Sequence, residues 1–165
     1  MIEITLDGAE ALAGQMAQIS ASVEGAPREL FPSLGELWKG FFRDNVQSGG
    51  EGLGWPSLHP ATVNIRKKYG HGGKKVLNRG GDLLLSIDVR SVDDESVVVG
   101  TDLTGGPNGD IPIARILQDG GQITDDHGTR TVQAFPFIVL SDVQLQDTED
   151  LIRDFYSELL LGGVN

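Results

Sequence analysis

One apolar stripe constrains this chain more than any other feature. Leu34, Leu37, Trp38, Phe41, Phe42 and Val46 recur at helical spacing and stop before Ser48-Gly49-Gly50. The stripe is too wide for a solvent-facing helix with a narrow seam, so it must be covered on more than one side. It holds one of only two tryptophans and two of the six phenylalanines. The rest of the fold is therefore expected to form around it. Pro27 or Pro32 can each occupy a first helical turn, which makes either a candidate start for this helix.

The flanking segments read as further elements of a mixed fold. Residues 2–6 alternate apolar and polar, the pattern of a short half-buried strand. Asp7 and Glu10 have capping-box spacing, and Leu12, Met16, Ile19 and Val23 then follow a helical period. Residues 82–87 suit a short helix or a strand entry. Residues 87–91 and 96–101 are expected to pair as a hairpin across Asp93-Asp94-Glu95, with Val97, Val98 and Val99 favouring strand. Residues 113–118 form a short helix stopped by Gly120-Gly121, with more strand near 130–133. Ser141 with Gln144 is a second capping box, opening a C-terminal helix whose stripe is Leu151, Ile152, Phe155, Tyr156, Leu159 and Leu160. The expected class is α+β, a small antiparallel sheet packed against two to three helices. The 165 residues suit a single domain spanning 1–165.

Between residues 49 and 81 the periodicity fails. The 23 glycines of the chain are about twice the usual share, and GGEGLGWPSLHP and YGHGGKK are turn chemistry around a possible short helix at 61–68. This glycine-rich stretch is expected to be a mobile arm, and it is basic. Arg66, Lys67, Lys68, Lys74, Lys75 and Arg79 lie in it with no acid between 64 and 81, while the whole chain carries a net charge of −11. A local positive field on an acidic molecule seeks an acidic partner. The acids of the C-terminal helix, among them Asp147, Asp150 and Asp154, can supply it from a neighbouring copy, a head-to-tail contact able to close into a ring. Nucleic acid is the competing partner, with Tyr69 available for stacking, but the overall charge disfavours phosphate backbones. A solvated loop is the plain alternative. Trp55 and Leu58 sit within the arm as candidate interface residues; Trp55 either anchors a partner or folds back to close the core.

Catalytic patterns are missing from the sequence. There is no cysteine, no G-x-S-x-G and no phosphate-binding glycine loop. His59, His71 and His127 lack the spacing of a helical metal pair, and Asp125-Asp126-His127 reads as a solvated turn before it reads as a ligand cluster. The expectation is a non-enzyme with no cofactor and no metal. The acidic start and the lack of a long apolar run give no reason to expect export or a membrane partner.

The ordered motifs of residues 30–141 resemble the phage virion morphogenesis family, which includes tail completion proteins. The resemblance is carried by Phe41-Phe42; by Gly54-Trp55-Pro56-Ser57-Leu58 with Thr62 and Lys67-Lys68; and by Val76-Leu77, Gly81-Asp82-Leu83 and Ser86-Ile87. It continues through Val99-Gly100-Thr101, residues 113–121 and Gln133-Ala134-Phe135-Pro136-Phe137. The 113–121 block keeps Ala114, Gln118 and the glycines but lacks the family's Tyr and His, and Phe135 stands where Arg is usual. The resemblance implies a virion component at the head-tail junction that completes or terminates the tail, commonly as a hexameric ring. It would contact the tail tube and neck or connector proteins, meet DNA at most by its passage through the ring, and assemble in the host cytoplasm. A head-side adaptor is the nearest alternative, and a small nucleic-acid-binding protein using the basic arm is an alternative of another class.

Overall fold

Helix α1 runs from Ala9 to Ser48, 40 residues, and the stripe at 34–46 is its C-terminal part. The computed structural model describes residues 9–70, 75–77, 80–105, 109, 111–125 and 128–162. The strand expected at 2–6 and the cap residue Asp7 lie outside that set. The two helices expected on either side of Pro27 and Pro32 are one, with both prolines inside it. Each proline removes a helical hydrogen bond and crowds the carbonyl four residues back, at a cost of about 3 kcal/mol in a helix interior. Burial opposes that cost here. Ala26, Leu30 and Leu34 are all buried in an i, i+4 row that passes straight through the proline region.

The end of α1 is built by its glycines. Gly50 N–H donates to Asn45 O at 2.9 Å and Gly49 N–H to Val46 O at 3.2 Å, a paired closure that needs the left-handed backbone of Gly49, φ 75°. The chain then turns into a 9-residue helix α2, Pro60–Lys68, and reaches the short α3, Asp82–Ser86. The described part of 49–81 thus holds a helix, and Trp55 and Leu77 within it pack against the core.

Strands β1 (Asp88–Val92) and β2 (Val97–Gly100) form an antiparallel hairpin with an irregularity between Val89 and Ser91. Asp93 Oδ1 closes its turn, accepting from Glu95 N at 2.9 Å and Ser96 N at 2.7 Å. Helix α4 (Ile113–Asp119) follows, then a second antiparallel hairpin of β3 (Gly121–Asp125) and β4 (Gly128–Val132). The fold is α+β, and among the described residues its antiparallel strands come as two separate two-stranded hairpins. The α1 helix crosses the first hairpin at Gly35, where a Cβ would lie 2.9 Å from Val97 Cγ2 and 3.2 Å from Val89 Cγ2.

Helix α5, Asp142–Gly162, begins at the expected capping box: Ser141 N donates to Gln144 Oε1 at 2.9 Å, and Gln144 N to Ser141 Oγ at 3.4 Å. It packs antiparallel along α1. The core beneath is Phe42, Val46, Leu83, Ile87, Ala114 and Phe137, with Trp38, Trp55, Leu77 and Leu117 packed around it.

Candidate interaction surfaces

A strap of extended chain, residues 133–141, closes this core and positions both candidate surfaces. Its backbone is held by side chains distant in sequence. Asn45 Nδ2 donates to Phe137 O at 3.0 Å and Val139 O at 2.9 Å, and Gln118 Oε1 accepts from Phe137 N and Ile138 N at 2.9 and 3.0 Å. Gln144 Nε2 donates to Asn45 Oδ1 at 3.2 Å. Thr148 Oγ1 donates to Gln144 O at 2.8 Å and accepts from Trp38 Nε1 at 3.2 Å. Asn45 and Thr148 are buried, and the network leaves no buried side-chain polar atom unpartnered among the described residues.

Trp55 belongs to this assembly. It was a candidate for anchoring a partner, but its ring packs on the core, its Nε1 donates to Pro136 O at 2.9 Å, and it meets Phe135 edge to face at 6.0 Å. The reason is local. Gly50 takes φ 77° and lacks a Cβ that would sit 2.0 Å from Trp55 Cδ2, so the turn after α1 folds the indole inward. Leu58 is half-buried.

The basic surface lies on α2. His59 caps the helix, its Nδ1 accepting from Ala61 N at 3.2 Å, and Pro60 holds the first position. Arg66, Lys67 and Lys68 fill the last turn, where the helix dipole favours cations. No residue of α2 is buried. Ile65 is 57% exposed and Tyr69 61%, with Lys68 Nζ 5.7 Å from the Tyr69 ring centroid. Arg66 Nη1 donates to Lys75 O at 2.9 Å, and Lys75 Nζ lies 3.9 Å from Glu51. Arg66, Lys67, Lys68 and Lys75 therefore gather at one place; Lys74 and Arg79 lie outside the described residues.

The acidic candidates on α5 are not equivalent. Asp150 is already paired in the chain, with Arg153 Nη1 at 2.5 Å and Gln146 Nε2 at 3.0 Å. Asp147 and Asp154 are exposed. Asp154 borders a groove of about 220 Å³ between α1 and α5, beside Leu30, Ser33, Phe155 and Glu158. A larger cleft of about 770 Å³ is lined by Leu77, Leu83, Leu103, Ile113 and Leu117, together with Arg66 of α2 and Asp82. Its described walls suit an apolar group.

Among the described residues no group of three or more His, Cys, Asp or Glu could hold a metal ion, and no helix is long and apolar enough to cross a membrane. Residues 126–127 of the Asp125-Asp126-His127 motif lie outside those residues. Comparison with protein-family models, with curated proteins and with solved structures finds no match to this chain.

The roles of Asn45 and Gln118 in holding the strap escaped the reading of the sequence. The available signal was polarity out of place: Asn45 adjoins the apolar Val46 at the end of the stripe, and Gln118 follows Ile116-Leu117.

Proposed function

We propose that this chain is a structural subunit of a phage particle that completes or terminates the tail at the head-tail junction, working as a ring of identical copies. The observation that carries this reading is the separation of charge along α1. Arg66 of α2 holds Lys75, which packs on Gly49 at the C-terminal end of the helix, while Asp154 and Glu158 border Leu30 near its middle. A molecule with basic and acidic surfaces set apart along one helix is suited to repeated head-to-tail contacts, and such contacts close into rings when the rotation permits. The resemblance to the virion morphogenesis family supplies the particle and the sixfold expectation. Trp55, Gln118 and Phe137, which lie in three of the blocks that carry it, meet at the strap.

Electron microscopy of particles produced after deletion of the gene tests the role. Separated full heads with unattached or overlong tails are expected; normal infectious particles would overturn the proposal. A second reading, nucleic-acid binding, is favoured by the exposed Tyr69 beside Lys68. It predicts strongly salt-dependent binding of DNA by the purified chain.

A further inference from the structure

Helix α1 is weakest between Gly25 and Pro32. Gly25 loses more backbone freedom in a helix than another residue would, and nothing packs where its Cβ would stand. Pro27 and Pro32 have no N–H to give to Val23 O and Arg28 O. Sharp bends in long helices fall at such residues. Arg28, Pro32 and Gly35 stand at i, i+4 and i+7, so they share one face, opposite the buried row of Ala26, Leu30 and Leu34. The bond that Pro32 removes is therefore missing on the Arg28 face.

The hairpin of β1 and β2 lies along this face and crosses the break. On the C-terminal side of the break, Val97 and Val89 pack on Gly35, and Lys39 Nζ lies 3.4 Å from Asp88 Oδ1 at the start of β1. On the N-terminal side, Arg28 donates to Asp94 in the hairpin turn. The spacing fits, since the helix from Arg28 to Gly35 and the extended chain from Asp94 to Val97 each cover about 10 Å. Asp93 closes the turn by accepting from Glu95 N and Ser96 N, so Asp94 is presented from a fixed loop. The Arg28 and Asp94 side chains are both mostly exposed. Salt can therefore loosen their pair without opening the core.

We infer that the β1–β2 hairpin is a splint across a proline hinge in α1, latched by Arg28 on Asp94. Unlatched, the part of α1 before the break tilts about the buried row while both parts stay helical. The device belongs to a single chain and depends neither on the ring reading nor on the kind of particle.

The chain has no cysteine, so a pair of spin labels can be placed uniquely. Labels at Ala17→Cys on α1 and Ser157→Cys on α5, both exposed positions, read the tilt by pulsed electron spin resonance. The labelled chain is diluted into excess unlabelled chain, so that distances within one chain are measured. At low salt one narrow distance distribution is expected. Asp94→Ala, Arg28→Ala and molar salt are each expected to widen it at least twofold, with the helix signal in circular dichroism unchanged. Adding Gly25→Ala, Pro27→Ala and Pro32→Ala to Asp94→Ala is expected to restore the narrow distribution, because the missing helical bonds are remade. A distribution already broad at low salt, or one that Asp94→Ala and Arg28→Ala leave unchanged, overturns the latch. Widening that survives the three alanines overturns the hinge. Widening accompanied by a loss of helix signal also overturns it, since the segment then melts and does not pivot.

Discussion

Replacing Asn45 by Ala removes the side chain that ties the strap to both long helices. Two donated bonds are lost, to Phe137 O and Val139 O, and Gln144 loses its acceptor. A neutral hydrogen bond contributes about 1 kcal/mol net, but a buried group left unpaired costs about 1–3 kcal/mol. Phe137 is fully buried and water cannot readily replace the amide there. The expected loss is about 3 kcal/mol, a large part of the roughly 5–15 kcal/mol that holds an ordinary domain together. At the size of this chain that is a fall in melting temperature of roughly 6–12 °C. Urea unfolding followed by circular dichroism and tryptophan fluorescence measures it, since Trp38 and Trp55 both report on the network. The double cycle with Gln144→Ala isolates the part shared by the pair. Asn45→Asp adds a sign test: a carboxylate facing two carbonyls is held above its ordinary pKa, so this variant is expected to regain stability as pH falls, as a protonated acid can donate again. A loss below about 1 kcal/mol for Asn45→Ala, with an unchanged urea slope, would refute the account of the strap.

Other substitutions test the packing. Gly35→Leu is expected to destabilise by about 1–3 kcal/mol, because Val97 and Val89 leave no room, while Gly40→Ala, with open space at its Cβ, stabilises by up to about 1 kcal/mol in urea titrations. Gly50→Ala combines a left-handed backbone with a collision on the Trp55 ring; a loss of at least about 2 kcal/mol and a red-shifted tryptophan emission are expected. In the first hairpin, Asp93 is held below the usual carboxylate range chiefly by the Glu95 N–H, and Asp88 chiefly by the Val89 N–H. Both are lowered in the folded state, so their contribution is in place above about pH 4 and is lost as pH falls through the folded values. Amide exchange in β1 and β2 should accelerate below that point, and Asp93→Asn should flatten the acid dependence.

Much of the fold was legible without coordinates because short-range rules set it. The stripe at 34–46, the Ser141–Gln144 cap and the valine hairpin are patterns of spacing four residues or fewer, or pairs across a three-acid turn, and each forms where the pattern falls. The basic character of α2 was equally plain, since charge is a property of composition. Tertiary structure alone decided which of these surfaces remain free. Pro27 and Pro32 read as helix starts until burial of Ala26, Leu30 and Leu34 carried one helix through them. Trp55 looked available until Pro136 O engaged it. Asn45 and Gln118 were marked only by polarity beside apolar neighbours, which names no partner, because their partners lie 92 and 19 residues away. Local propensity determines where elements begin and end. Whether a side chain faces a neighbour or the solvent depends on contacts between distant segments, and those exist only once the chain has closed around Phe137.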